Sequence, residues 1–481
     1  MSAAVSRGVP FRELGTTQAS WPALGICAVG VILVGFAPPF GFLLGALVLV
    51  GCAVSAPWVS VPLVLTTLPF SLHPRSIAGF EVSTTEIAII TTSCALLVRE
   101  GWRRIPWPLA SASSASALPL ESATTGSIRA ARPPLIDWFV AALIGSALIS
   151  LTVTEYPRQS LRELRWLVVE PVLVLSLARA TLRSPEHVRL TLWSFVATGA
   201  LAGVVALTAM AAAGDLTTAS SRAMAPYLSP NQLGMFLSRA GAVAAAIVLF
   251  AGPNNRTERR LSLAALAPIG AALARSLSLG AWIGFGVALV LEAALRGRRT
   301  AALVIAGLAL IGALAVALAP RDRISERWDP ASGTALSRVQ IWTAAARMIA
   351  DHPILGVGMD NFLYAYRGGY MLPESWREPN ISHPHNWIMD FWLQLGIPGL
   401  AAFAASMGWT ISAALRIARA GAASIDRQLG AAALGTTAIL LTHGFVDNSY
   451  FLVDLATLWW VMIGLLIVRD ADRRAGQLSA P

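Results

Sequence analysis

Long apolar runs separated by short polar stretches fill most of the chain: 22–37, 40–56, 57–72, 83–98, 135–153, 164–181, 188–213, 231–251, 260–274, 277–295, 300–319, 387–418, 427–444 and 448–468. A helix needs about 20 apolar residues to cross a bilayer. The pattern predicts an all-α polytopic membrane protein of about 12–14 transmembrane helices, the lower count applying if two short pairs each make one span. The run at 387–418 contains Gly396-Ile397-Pro398-Gly399, where a break is expected.

One long segment departs from this pattern. From Pro320 to His385 the chain is polar and aromatic. Within it Leu336, Val339, Trp342, Ala346 and Ile349 recur at helical spacing, which predicts an amphipathic helix with those residues on its apolar face. His352-Pro353 ends that helix, Gly356 and Gly358 permit a tight turn, and Asn386 opens the next helix. The expected form is a lid of short amphipathic helices on the outer membrane surface. The chain then divides into an N-terminal transmembrane bundle (1–319), the loop (320–386), C-terminal transmembrane helices (387–468) and a tail (469–481). A low-complexity stretch, Leu109–Ser127, marks 99–133 as a disordered linker.

Composition agrees with the membrane reading. Hydrophobic residues make up 56% of the chain and charged residues 13%, too apolar a balance for a soluble protein. The formal net charge of +10 is carried by Arg without any Lys, and the Arg residues cluster between apolar runs, where they set topology rather than bind nucleic acid. Counted in alternate loops, the clusters at Arg99–Arg104, Arg183, Arg256–Arg260, Arg296–Arg299, Arg416–Arg427 and Arg469–Arg474 share one side. That places both termini in the cytoplasm and the loop from Pro320 to His385 outside, on the periplasmic or extracellular face. The first apolar run follows Arg7 and Arg12 without a cleavage signal and is expected to stay as a helix. Cys27, Cys52 and Cys94 each sit in an apolar run with no second ligand nearby, so neither a disulfide nor a metal site is expected, and no cofactor motif occurs.

Given that topology, the Arg residues on the outer side carry information. Arg158, Arg162 and Arg165 recur at three- and four-residue spacing, Arg222 occupies the next outer loop, and Arg275 lies between two helices. Guanidinium groups fork onto phosphate oxygens, so the set suits a pyrophosphate; the plainer alternative is pairing with Glu155 and Glu163 or with membrane lipid headgroups. His383-Pro384-His385-Asn386 puts two imidazoles before a helix start, where one is a candidate base and Asn386 either orients a partner or caps the helix. Pro384 is expected to hold the two rings apart on an extended stretch. His443, Asp447 and Asp454 are polar groups in apolar surroundings, read either as buried structural partners or as lining of the same cavity. Arg239 is expected to pair with Glu86 or Asp390.

The run Arg338-x-x-Ile341-Trp342, then Met348-Ile349-x-x-His352-Pro353-Ile354-Leu355-Gly356-Val357-Gly358, then His385-Asn386, then Leu395-Gly396-Ile397-Pro398-Gly399 resembles the signature of the O-antigen ligase and polysaccharide polymerase superfamily. Arg222 ahead of Ser229-Pro230-Asn231 is similar to that family's Arg and Pro-Asn helix start. The resemblance implies a multi-span, GT-C-like glycosyltransferase, inverting and metal-independent. It would move a glycan from an undecaprenyl diphosphate-linked donor to a lipid or glycan acceptor on the outer face of the inner membrane. His385 would be the base, with Arg222, Arg275, Arg162, Arg165, Arg338 and Asn386 contacting substrate. One position departs: Leu279 in Ser278-Leu279-Gly280-Ala281-Trp282 stands where the family has a second phosphate-binding Arg. Either Arg275, one turn earlier, replaces it, or the donor differs.

Two other functions fit parts of this pattern. A polymerase would extend one lipid-linked glycan with another through the same donor chemistry. A transporter or flippase of a lipid-linked anion would use the Arg residues without chemistry, but the internal repeats and matched broken helices of such proteins are missing from the sequence.

Overall fold

The structure, a computed structural model, describes residues 26, 30, 39–73, 75–77, 80–104, 134–216, 218, 221–253, 255–318, 333–376, 379–421 and 423–478. The expected first helix (apart from residues 26 and 30), the linker at Leu109–Ser127 and the start of the polar loop lie outside those residues.

The helices in chain order are α1 (Pro39–Ser55), α2 (Ser60–Thr67), α3 (Thr84–Arg104), α4 (Leu135–Ser150), α5 (Pro157–Leu164), α6 (Glu170–Thr181), α7 (Pro185–Ala212) and α8 (Pro230–Phe250). They continue as α9 (Arg256–Ser276), α10 (Leu279–Arg296), α11 (Arg298–Leu318), α12 (Gly333–Asp351), α13 (Phe362–Ala365), α14 (Trp387–Ala420), α15 (Ser424–Gly444) and α16 (Val453–Leu478). The all-α polytopic class holds, with one addition: strands Arg75–Ile77 and Phe80–Val82 pair as a small antiparallel ribbon, too short to leave a period in the sequence. Among the described residues α7, α8, α10 and α14 are each long and apolar enough to cross a membrane, and shorter apolar helices surround them.

Helix starts follow local chemistry. Ser184 and Ser229 accept from the backbone N–H groups of His187 and Gln232, each with Pro at the first helical position. Asn386 Oδ1 accepts from both Ile388 and Met389 N–H, which fixes the start of α14. In the middle of the bundle α8 and α15 are apolar on nearly every face, as expected of helices surrounded by others. Small residues let the helices approach: a Cβ at Gly203 would sit 2.6 Å from the Pro268 carbonyl oxygen, so α7 and α9 touch backbone to backbone there.

The polar loop is built onto the kink of α14. Gly396 breaks that helix with φ of 68°. Ile397 N–H donates to the Ile354 carbonyl at 2.9 Å, and Val357 N–H donates to the Leu393 carbonyl freed by the kink at 2.8 Å. Trp392 Nε1 adds a bond to the Pro353 carbonyl at 2.7 Å. The two separated halves of the motif, His352–Gly358 and Leu395–Gly399, are therefore one clasp. In α12 the buried face is Ile341, Ala344, Ala345 and Met348, while Val339 is 48% exposed. This corrects the expected stripe by a fraction of a turn, because the helix packs on Phe362 and Tyr366 of its own loop and on Leu393 of α14.

Candidate functional site

His385 lies immediately before α14 with φ of 52°, and its Nδ1 sits 2.9 Å from Asp447 Oδ1. Asp447 occupies the turn between α15 and α16. That turn is held from below by aromatic packing, with Phe391 and Phe403 stacked at 3.8 Å and Tyr450 and Phe451 against them. It is held from the side by Arg239, whose Nη2 donates to the Ser449 carbonyl at 2.8 Å and to Ser449 Oγ at 2.7 Å. Arg239 thus bonds the site's own turn, and neither Glu86 nor Asp390 as the sequence suggested.

A hydrogen-bonded relay runs through Asp447. Arg222 Nη2 donates to Asn231 Oδ1 at 2.9 Å, and Asn231 Nδ2 donates to Asp447 Oδ2 at 2.9 Å. Asp447 Oδ1 also accepts from Asn448 N–H at 2.9 Å. Burial would raise the Asp447 carboxyl, but the imidazoles of His383 and His385 and the charges around it hold it well below the usual carboxylate range. An ionised carboxylate only accepts, so Nδ1 of His385 carries a proton, and in the neutral ring Nε2 keeps the lone pair.

His383 shares this target. Its Nε2 is 3.9 Å from Asp447 Oδ1, beyond hydrogen-bond reach, and the two imidazoles meet edge to face at 4.3 Å between centroids. The extended Pro384 geometry expected to separate them is not what forms; the left-handed backbone at His385 folds its ring back. Burial lowers the His383 pKa. Donor atoms of His383, His385 and Asp447 all lie within 4.8 Å of one another, a set able to converge on one divalent cation. His443 Nε2 is 4.0 Å from Asp447 Oδ2. Its ring lies against Gly280, where any Cβ would meet His443 Cδ2 at 2.5 Å.

The remaining Arg residues separate by position. Arg275 Nη2 donates to the carbonyls of Asp215, Thr218 and Ser221 at 3.2, 2.8 and 3.1 Å. In return Ala223 N–H donates to the Arg275 carbonyl at 2.9 Å, and Arg222 Nε donates to the Ser276 carbonyl at 2.8 Å. Arg275 accordingly ties down the segment that carries Arg222. Arg162 pairs with Asp360 at 2.7 Å, and Arg165 pairs with Glu86 at 2.6 Å. These partners replace the expected Glu155 and Glu163, and none belongs to the Asp447 relay. Arg338, half-buried on α12, is near enough for its charge to act on His443. Asn386 caps α14 and also donates to the Phe445 carbonyl at 3.3 Å.

Asp447, the relay's central member, is one of the three polar residues of the last apolar runs, but its link to His385 and the part of Asn231 leave no pattern in the sequence. The Pro-Asn helix start marks only the position of Asn231. For Asp447, only its place in a polar turn between two apolar runs marked it.

Taken together, the fold is an all-α polytopic membrane protein with a His, Asp and Arg site where three interhelical segments meet. The family model described as O-Antigen ligase matches residues 263–404, a span holding Arg275, Arg338, His383, His385 and the clasp. A provisionally named polysaccharide ligase of Rickettsia conorii is 32% identical over 136 residues, which is 26% of this chain and 33% of that one. Similarly named proteins of Rickettsia prowazekii and Rickettsia felis are 34% and 33% identical over 108 and 141 residues, covering 21% and 26% of this chain and 25% and 33% of theirs. The chain spans about a third or less of the length of these relatives. These findings support an O-antigen ligase-like family for the chain.

Proposed function

We propose that the protein transfers a glycan from an undecaprenyl diphosphate-linked donor to a lipid or glycan acceptor. The reaction takes place on the outer face of a bacterial inner membrane, inverts the anomeric centre and needs no metal. The observation that carries this reading is the Arg222–Asn231–Asp447–His385 relay, which sets a guanidinium and an imidazole on one hydrogen-bonded frame.

In the proposed step the acceptor hydroxyl oxygen attacks the anomeric carbon while His385 Nε2 takes its proton. The bond from that carbon to the diphosphate oxygen breaks, and the lipid diphosphate leaves with the electron pair. A diphosphate is already an anion and needs charge stabilisation more than a proton, which Arg222 supplies. Asp447 positions His385 and stabilises the imidazolium that forms. Arg275 acts on this site through the 215–223 segment. Arg162, Arg165 and Arg338 are assigned to the glycan or diphosphate path around the loop, and Asn386 to the geometry of His385.

The test is transfer from purified lipid-linked donor to acceptor in EDTA, with donor binding measured separately. Wild-type protein should transfer, and His385→Ala should bind donor while losing about 10²- to 10⁴-fold in rate. Full transfer by His385→Ala would sink the base assignment. Loss of wild-type transfer in EDTA, restored by a divalent ion, would instead make His383, His385 and Asp447 metal ligands.

A further inference from the structure

A cleft away from the relay lies between the α4–α5 connection and the turn after α12. It encloses about 600 Å³ and is lined by Glu155, Tyr156, His352, Tyr364 and Tyr370, with bare backbone at Gly368 and Gly369. None of its lining residues belongs to the Arg222–Asp447 relay. Its volume falls within the range of about 300–1,000 Å³ usual for ligand sites.

The lining has a definite chemistry. Tyr156 and Tyr364 stack at 3.9 Å with rings nearly parallel, a two-ring platform whose outer faces remain uncovered by the pair. Tyr364 Oη accepts from Gln159 Nε2 at 3.1 Å, which leaves its own O–H to donate. Glu155 and His352 are exposed, and their side chains make no hydrogen bond among the described residues. Glu155 is the single charged lining residue, and no Arg faces the cleft, so it does not suit a phosphate or an anionic headgroup. The platform is seated firmly: Asn361 beneath it accepts from Tyr156 N–H at 3.1 Å and donates to Thr154 and Ser160 at 2.7 and 2.9 Å. Directly after the helix that carries Tyr364, the lining continues into a π-helical turn at Tyr366–Tyr370, a distortion that occurs frequently at functional sites. A Cβ at Gly368 or Gly369 would meet nothing within 4 Å, so these glycines border open space.

From this we infer that the cleft is a saccharide-binding subsite, holding uncharged sugar rings of a glycan against the Tyr156–Tyr364 platform while Glu155, His352 and Tyr364 take up their hydroxyls. An aromatic face with acceptors and donors at its edge matches a sugar ring, which has an apolar C–H face and a polar rim. The inference rests on the glycosyl-transfer reading for what the glycan is used for, but the binding itself is independent of any reaction.

The probe is the oligosaccharide pool released by mild acid from the cells' own lipid-linked glycans. It is offered to the full-length protein in phosphatidylcholine nanodiscs, with binding followed by saturation-transfer NMR. Wild-type protein should bind the pool, and Tyr364→Ala should weaken binding roughly tenfold through loss of the platform. Gly369→Leu, which fills the cleft without disturbing the platform, should weaken it as much, whereas His385→Ala should leave it unchanged. Binding lost in the cleft variants with no transfer by any protein would keep the subsite and reject the glycosyl-transfer reading. Active transfer with pool binding untouched by both cleft variants, or with no pool binding at all, would overturn the subsite. Displacement of the pool by added phosphatidylglycerol would overturn it also, in favour of a lipid groove. In transfer assays of Gly369→Leu, a raised KM for donor alone identifies the donor glycan as occupant, and a raised KM for acceptor alone identifies the acceptor.

Discussion

A His residue is useful as a base only when one ring nitrogen is fixed and the other is bare, and Asp447 imposes that division on His385. Asp447→Asn keeps the size but lets the amide donate, favouring the wrong tautomer; transfer should fall by about 10²-fold or more while donor binding persists. His383→Ala should be much milder, since its nearest approach to the carboxylate is 3.9 Å. Arg222→Lys keeps the charge and loses both the fork and the paired bonds to Asn231 and Ser276, so transfer should drop severely at normal protein levels. Near-normal turnover by the Lys variant would make Arg222 a topology residue. The pH behaviour follows from the same two loop groups. Asp447 has a depressed pKa, so the stability it gives is complete above the unfolded value of about 3.9 and is lost only as pH falls through the lower folded value. His383 is also depressed: below about 6.5 the unfolded ring takes a proton that the native ring refuses, and stability declines with acid. Thermal unfolding in detergent should therefore show Tm falling between pH 7 and 5.5, less so in His383→Gln; equal slopes would remove the assignment.

Elements explain why motif residues far apart in sequence occur together. The Gly356 and Gly396 turns each have positive φ and face the other's backbone, so a Cβ at Gly356 would sit 2.2 Å from the Leu393 oxygen. Gly356→Ala should cost about 1–2 kcal/mol from backbone strain alone and more from the clash, read as a drop in Tm. It should also slow transfer, because the clasp sets where α14 and His385 begin. Arg275 works at the same scale. Arg275→Ala frees three carbonyls of the 215–221 segment and should weaken donor binding through Arg222. Adding Leu279→Arg restores a charge but not those bonds, so rescue by the double variant would return Arg275 to direct phosphate contact. This is also where the sequence stopped being legible. Periodicity and length located most of the helices within a few residues but gave neither α5 nor α13 and stopped short of the end of α16 at Leu478, while Pro and Asn marked the starts of α8 and α14. The offset face of α12, the Arg165–Glu86 pair and the Arg239–Ser449 bond depend on which helices become neighbours. A single sequence without internal repeats does not encode that in any local pattern.

For the whole molecule, the decisive question is which side of the membrane the relay faces. The Arg clusters alternate along the chain so that Arg183, the Arg296–Arg299 turn and Arg469 fall on one side, and the relay and the clasped loop on the other. In the proposed reading positive-inside bias puts the relay outside, which is where a lipid-linked glycan already carried across the membrane would meet it. Cysteine accessibility tests this directly in a variant whose three native cysteines are replaced by Ser. Glu374 and Arg299 are both exposed and stand in the loop and in the first turn of α11 respectively, so reporters there should report opposite sides without disturbing the relay. Glu374→Cys should react with an impermeant maleimide in intact spheroplasts, and Arg299→Cys only after permeabilisation. The reverse labelling would put His385 and Arg222 in the cytoplasm. A donor on the outer leaflet could then not reach them, and the transfer reaction would have to be abandoned for one that acts before the lipid-linked glycan crosses.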